Sequence, residues 1–527
     1  MSKYIPTIGL EIHTELKTRT KMFCDSLNDA DEKTPNKNVC PVCMGHPGTL
    51  PVINKKAVEF VIKVGLALGG KIGNISKFDR KNYFYPDLPK AYQISQYDQP
   101  LVQGGELLGV RITRIHLEED TGTLIHSVLR SNDKRIKSND NRIFGKDSVS
   151  FDGNSSASFV DFNRAGIPLM ELVTEPDIKN SEQAVGFGKE LRLILRYLGV
   201  SDADMEKGHM RLEANVSLRK TADIRGLDAD QRGNNNQHKS IPLGTKVEVK
   251  NINSFRSLGS AIDYEIKRQE EVLEKGEKIA QETRGWDDVK QKTFSQRAKE
   301  DAHDYRYFPE PDLPPLEPTK VFDIEDMKRH LPELPAQKRE RFKKEFNLSA
   351  QQSSALVDDK NFADFFEAAV SELAARDELV TATIGKAPKE LLFNYLTSDL
   401  AGLLNESGAE LSKVKITPEQ FAELIDLIAD GKINSRQAKD ILRKMFETGD
   451  NPEDIISKSG IQSVSDEGSI KTVALEVLAE NPKAIEDFKR GKAASIQFLV
   501  GKTMAKLRGA GNPGTIKKIL EEELTRQ

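Results

Sequence analysis

The residues best suited to chemistry lie close to the start of the chain. Gly9-Leu10-Glu11-Ile12-His13 alternates, so on a strand Glu11 and His13 share one face while Leu10 and Ile12 share the other. A carboxylate and an imidazole two residues apart can ligate a metal, although the same pattern also describes the solvent side of an edge strand. His116-Leu117-Glu118-Glu119-Asp120-Thr121-Gly122 adds three consecutive carboxylates at a strand end beside a glycine turn. Their mutual repulsion is costly unless a cation or a basic group offsets it. Arg211-Leu212-Glu213-Ala214-Asn215 contributes a further carboxylate and an amide on alternate positions. Hard oxygen donors of this kind suit Mg2+, which bridges nucleotide phosphates.

Cations stand ready for those phosphates. The run from Lys77 through Arg80, Lys81 and Tyr83 to Tyr85-Pro86-Asp87 interleaves basic and aromatic side chains, as a site needs if it neutralises phosphate and stacks on a base or ribose. Lys246, Glu248 and Lys250 alternate onto one face ahead of Asn251, Asn253 and Ser254. Each of these also fits a solvated strand with ordinary charge pairs. A third kind of chemistry sits in Cys40-Pro41-Val42-Cys43 which, with Cys24, completes the chain's cysteines. Two residues between thiolates let one turn supply two tetrahedral zinc ligands, so the trio reads as most of a structural zinc site.

The elements that position these groups follow from periodicity. Short strand-like runs at 110–115, 159–163 and 247–251 alternate with helical spacing at 55–68 and 182–198, which predicts an α+β domain. Polar stretches at 130–158 and 220–240 read as exposed loop insertions without chemistry. Pro309-Glu310-Pro311-Asp312-Leu313-Pro314-Pro315 predicts a rigid extended connection, after which the pattern turns almost wholly helical. Thr417-Pro418-Glu419-Gln420 is a capping box with proline at the first helical position, and Gly431 is the matching stop. The expected domains are thus 1–295, 296–415 and 416–527.

Composition narrows the function classes. With 527 residues, 30% charged and 37% hydrophobic, the chain has a soluble protein's profile and is too long for one core. Its net charge of -4 excludes bulk basicity as a route to nucleic acid. Neither a leader-like apolar segment nor a membrane-length apolar run is present in the sequence, so the expected location is cytoplasmic. From Glu480 onward there are ten basic and six acidic residues, an ordinary charged helical face by itself. Gly501-Lys502-Thr503 imitates the end of a phosphate-binding loop, but Ile496 stands where that loop needs glycine, so a tail helix fits better.

The motifs at 8–13, 78–86, 116–122, 161–169, 175–177, 250–255, 281–284 and 304–312, in that order, closely resemble the B subunits of tRNA-dependent amidotransferases, the GatB family. The resemblance implies a glutamine-synthetase-like cradle domain, then helical domains ending in a tail that contacts tRNA. It also implies a reaction. ATP phosphorylates the carboxylate of Glu or Asp wrongly esterified to tRNA(Gln) or tRNA(Asn), and ammonia from glutamine displaces the phosphate. Under it Glu11, His13, Glu118, Glu119 and Glu213 would hold Mg2+ or orient the reacting groups, and Lys81 would act on phosphate charge. Lys77, Arg80, Tyr83, Lys250 and Arg306 would line the ATP phosphates. Lys489, Arg490, Lys492, Lys502, Lys506 and Arg508 become candidate tRNA-backbone contacts.

Ser26 replaces the second cysteine of a family Cys-x-Cys pair, leaving Asp25 or His46 as a fourth zinc ligand, and both a zinc site and a metal-free cluster stay open. No Gly-Gly-Ser-Ser amidase run and no cysteine outside the cluster offers a glutaminase nucleophile. The resemblance therefore implies an amidase A subunit as ammonia source and a small C subunit, in a heterotrimer. The alternatives are a non-catalytic tRNA-binding scaffold and a free-standing carboxylate-amine ligase.

Overall fold

A computed structural model describes residues 3–129, 155–221, 244–298, 305–373, 388–459, 467–490, 492, 494–507 and 513–526. The chain divides into two compact units, Met1–Pro335 and Ala336–Gln527. The first is α+β. Its strands are β1 (Tyr4–Glu15), β2 (Lys71–Ile72), β3 (Asp79–Asn82), β4 (Tyr92–Ser95), β5 (Val102–Gln103), β6 (Glu106–Leu107), β7 (Val110–Glu119) and β8 (Thr123–Leu129). They continue with β9 (Ser155–Asp161), β10 (Pro168–Thr174), β11 (Met210–Lys220), β12 (Val247–Ile252), β13 (Glu282–Asp287), β14 (Lys292–Ala298) and β15 (Phe308–Pro309). Three long helices, α1 (Lys55–Ala67), α2 (Ser181–Tyr197) and α3 (Phe255–Glu274), accompany them.

Among the described residues ten strands form one sheet, ordered β14-β13-β12-β11-β1-β10-β7-β5-β2 with β6 on β7. Its pairs are antiparallel except β12 with β13. Strict alternation gives the central strands two unlike faces. Leu10 and Ile12 of β1, Met170 and Leu172 of β10, Ile115 and Leu117 of β7, and Leu212 and Ala214 of β11 enter one buried core. Phe187 and Leu191 of α2, Leu258 and Ile262 of α3, and Val61 of α1 join them. Asn180 and Ser254 cap α2 and α3, their side-chain oxygens accepting from the Gln183 and Ser257 amides. Gly188 lets α2 lie close, since a Cβ there would meet the Phe255 ring at 2.9 Å and Leu212 at 3.0 Å.

The proline-rich passage does more than connect. Phe308 and Pro309 form β15 against β3, Leu316 bridges Ser76, and Leu313 enters the core, so this passage packs within the first compact unit, which runs to Pro335. Of the polar stretches, 130–154 and 222–240 lie outside the described residues. Ser155 to Ser158, expected to be loop, continue β9 on β8.

The second unit is helical. Thr417 makes the capping box with Gln420, and Gly431 follows that helix at φ 69°. The expected border at 415/416 falls inside packing, because Phe365 and Phe421 meet edge to face at 5.6 Å. A separate core near the end unites Ile470, Ala474, Leu499, Ile516 and Leu520.

The two unlike sheet faces set an expectation for stability. Leu172→Ala is expected to cost ~2–5 kcal/mol through lost burial and a residual cavity. Gln296→Ala, on the exposed opposite face, is expected to stay within ~0.5 kcal/mol. Denaturant unfolding of both variants checks this.

Candidate active site

Antiparallel register carries the polar residues of successive strands into rows. His13 stands opposite Glu171 on one side and Arg211 on the other. Glu171 stands opposite His116, and Glu11 opposite Glu213. Asn215 faces Glu248, which faces Thr283. The result is a polar floor beneath a cavity of about 860 Å³, whose wall includes Lys81, Tyr83, Tyr97, Tyr305 and Tyr307.

Two groups of metal-competent side chains occupy that floor. The donor atoms of His13, Glu118 and Glu171 lie within 4.8 Å of one another, as do those of Glu11, Glu213 and Glu248. His13 Nε2 is 3.4 Å from Glu171 Oε2 and 3.7 Å from Glu118 Oε1. Polar neighbours steady every carboxylate. Asn215 Nδ2 donates to Glu11 at 2.8 Å, Thr283 Oγ1 to Glu248 at 2.7 Å, and Ser95 Oγ to Glu118 at 3.1 Å. Lys250 Nζ lies 2.9 Å from Glu213, and His116 Nε2 lies 3.3 Å from Glu171.

The electrostatics follow from this crowding. Burial disfavours the His13 imidazolium, but Glu171, Glu118 and Glu213 outweigh it and raise the group to about 9. Glu171 is buried, yet His116 and His13 hold its carboxyl well below the usual range. Burial likewise opposes the Lys81 ammonium, and Glu118 and Glu171 reverse the effect, so its pKa rises. At the floor's edge Asp120 is pulled down to about 2 against burial by Arg211 and Arg164, while burial and Asp120 push Glu15 up to about 8. The wall is aromatic: Tyr97 and Tyr307 stack with centroids 4.2 Å apart, and Lys81 Nζ sits 5.2 Å from the Tyr305 ring centre.

The structure gathers Glu11, His13, Lys81, Tyr83, Glu118, Glu213 and Lys250 at one cavity and sets four other expected residues apart. Glu119 follows Glu118 along a strand and so points the opposite way, where it accepts from Lys90 Nζ at 2.6 Å and from the Ile94 amide at 2.9 Å. Arg80 is separated from Lys81 in the same manner. It grips Glu310 at 2.6 and 2.8 Å and stacks on Tyr92. Lys77 pairs with Asp98 at 2.9 Å and Asp79 at 3.1 Å. Arg306, at φ 43°, is exposed between two tyrosines that line the cavity. Glu171 is not among the expected residues, although a lone carboxylate in the apolar run Pro168-Leu169-Met170-Glu171-Leu172-Val173 marks a buried charge that needs partners. Glu248 reads in sequence only as part of a charged face.

On the other side of β7, the sulfurs of Cys24, Cys40 and Cys43 lie within 4.8 Å of one another. The Cys40 amide donates to Cys43 Sγ at 3.1 Å, and buried Lys21 Nζ lies 3.9 Å from it. Bonding from Cys24, aided by Lys21, brings Cys43 down to about 5 against burial, while Cys24 is pushed up. Three soft donors at this spacing fit three corners of a zinc tetrahedron. Asp25 and His46 are exposed and neither belongs to the group.

In the tail Lys489, Arg490, Lys492, Lys502 and Lys506 are all exposed, and Arg508 lies outside the described residues. Arg490 pairs with Glu486, Lys492 with Asp487 and Lys506 with Glu480. Thr503 is buried on a helix, so the phosphate-loop imitation is structural. No helix among the described residues is long and apolar enough to cross a membrane.

Residues 6–322 match the family described as GatB/GatE catalytic domain, and residues 364–524 match the GatB domain. The chain belongs to the GatB family. A Persephonella marina relative, named as the B subunit of aspartyl/glutamyl-tRNA(Asn/Gln) amidotransferase, is 44% identical over 530 residues, covering 99% of this chain and all of the relative. A Caldanaerobacter subterraneus subsp. tengcongensis protein of the same name is 42% identical over 532 residues, with the same coverage of both. The GatB/GatE catalytic match encloses the whole cavity, and the GatB tail match encloses the exposed basic residues from Lys489 to Lys506.

His13 yields a pH test. It titrates near 6.5 when unexposed to these neighbours and near 9 when folded. Its protonation therefore stabilises the metal-free fold fully below pH 6.5, and that contribution is lost as pH rises through 9. Thermal denaturation across this window is expected to fall more steeply for wild type than for His13→Gln; parallel profiles contradict the assignment.

Proposed function

We propose that this chain is the acyl-activating B subunit of a tRNA-dependent amidotransferase, acting on Glu-tRNA(Gln), Asp-tRNA(Asn) or both. The terminal phosphoryl group of ATP passes to the side-chain carboxylate of the misacylated residue, giving an acyl phosphate and ADP. Ammonia then attacks the acyl carbon, phosphate leaves, and a proton is lost to give the amide. The observation that carries the reading is the pair of ligand groups that share β1 under one cavity, with Lys81 and Lys250 facing them. The names of full-length relatives point to the same reaction.

Phosphoryl transfer needs positioning and charge neutralisation more than covalent help from the protein. The donor set fits hard divalent ions: Glu11, Glu213 and Glu248 offer only oxygen, and His13 joins Glu118 and Glu171. Mg2+ held there would neutralise phosphate oxygens and polarise the phosphorus under attack. The protein's own residues do the rest. Glu118 and Glu171 keep Lys81 charged, so it meets phosphate as an ammonium. Lys250 stands at Glu213 to serve the other group. The tyrosine wall offers flat faces for a base or ribose and narrows the access of water to the reacting carboxylate.

The same reading treats the first unit as a glutamine-synthetase-like cradle and gives 1–295, 296–415 and 416–527 their roles as catalytic, linking and tRNA-contacting segments. It draws ammonia from an amidase A subunit, with a small C subunit completing a cytoplasmic heterotrimer. It takes Cys24, Cys40 and Cys43 as a structural zinc site and sends Lys489, Arg490, Lys492, Lys502, Lys506 and Arg508 toward the tRNA backbone. Glu119, Arg80, Lys77 and Arg306 support the site from outside it.

In the assembled enzyme, Glu118→Gln or Lys81→Met is expected to lower amidation ~10²–10³-fold. Glutaminase activity and tRNA binding are expected to persist. Wild-type amidation by these variants overturns the assignment, and wild-type protein that binds tRNA without forming ADP or amidated product makes the chain a scaffold.

A further inference from the structure

Each carboxylate of the two ligand groups has at least one further polar partner that belongs to neither group, and Glu171 has a second in Arg114 at 4.0 Å, as Glu248 has in Lys250 at 3.7 Å. Glu11 has Asn215, Glu248 has Thr283, Glu118 has Ser95 and Glu213 has Lys250. Glu171 has His116, at 3.3 Å from Nε2 to Oε2, and these two residues stand directly opposite in the β10–β7 register. His13 approaches the same Oε2 atom from the other side at 3.4 Å. One carboxylate oxygen is thus bracketed by two imidazoles on three adjacent strands.

The two histidines are not equivalent. His13 belongs to a ligand group, whereas His116 does not and is only 3% exposed. Its Nδ1 is buried and has no hydrogen-bond partner among the described residues. An orphaned acceptor is tolerated better than an orphaned N–H, which places the ring proton on Nε2, aimed at Glu171. A ring fixed in that tautomer donates to the carboxylate without competing for a metal.

We propose that His116 is a positioning residue that holds Glu171 in place as a ligand of the divalent ion and keeps His13 available. Without it, Glu171 turns to pair wholly with His13, and both ligands leave the group together. The proposal rests on the divalent-ion reading given above. Loss of an outer partner of a metal ligand weakens binding by about 10–100-fold.

The test measures Mn2+ binding by electron paramagnetic resonance on the assembled complex without ATP or tRNA, beside the Mg2+ dependence of amidation. His116→Leu removes the donor at similar bulk; His116→Gln keeps an amide donor. About tenfold weaker Mn2+ binding is expected for His116→Leu, with amidation recovering to within about twofold of wild type at saturating Mg2+, and less than threefold weakening for His116→Gln. Unchanged binding in His116→Leu overturns the proposal, as does equal weakening in both variants accompanied by equal losses of thermal stability. Should the Leu variant not fold, a His116→Gln protein that binds Mn2+ ten times more weakly likewise overturns it. Glu171→Gln separates the two levels: normal Mn2+ binding by that variant removes Glu171 as a ligand, while weakened binding with a normal His116→Leu removes only His116.

Discussion

Five glutamates, Glu11, Glu118, Glu171, Glu213 and Glu248, share one face of a sheet beneath a single cavity, and their repulsion is the constraint that shapes the site. Carboxylates so close stay ionised only where positive charge and hydrogen-bond donors surround them. His13, Lys81 and Lys250 are raised in consequence, and Asn215, Ser95, Thr283 and His116 each steady one carboxylate. A floor arranged in this way gains from divalent cations and from phosphate brought in with them.

The opposite face makes that crowding possible. Leu10, Ile12, Met170, Leu172 and Leu212 are wholly or almost wholly buried beneath three helices, so the backbone cannot twist to relieve the charge. Burial on one face fixes register, because a one-residue slip would carry apolar side chains into the cavity and carboxylates into the core. The energy that holds the ligands in rows therefore comes from residues that never touch a ligand. Phe308, Pro309 and Leu313 extend the same logic, returning a proline-rich segment to a separate small sheet in which β15 pairs with β3 and β3 with β4, and bringing Tyr305 and Tyr307 to the cavity wall.

Much of this was legible in the chain itself. The alternation in Gly9-Leu10-Glu11-Ile12-His13 gave both faces of β1, and the capping box at Thr417 gave a helix start to the residue. The consecutive carboxylates of 118–120 were legible as a site but not as two faces, with Glu118 and Asp120 at the cavity and Glu119 turned away from it. Neighbouring strand residues diverge, so Glu119 went to Lys90 and Asp120 to Arg211. Glu171 was hidden because its partners come from β1 and β7, and pairing between strands distant in sequence leaves no local pattern. Arg80 and Lys77 read as phosphate ligands because their acidic partners, Glu310 and Asp98, were not visible as neighbours. The Phe365–Phe421 contact across 415/416 was hidden similarly, since a strong helix cap says where a helix starts and nothing about what its buried face meets.

The most direct measurement is anomalous diffraction from crystals of the assembled enzyme soaked with Mn2+ and a non-hydrolysable ATP analogue. The account expects manganese peaks at Glu11/Glu213/Glu248 and at His13/Glu118/Glu171, with the analogue's phosphates between them and Lys81. Phosphates bound elsewhere, with no manganese on this face of the sheet, would contradict it.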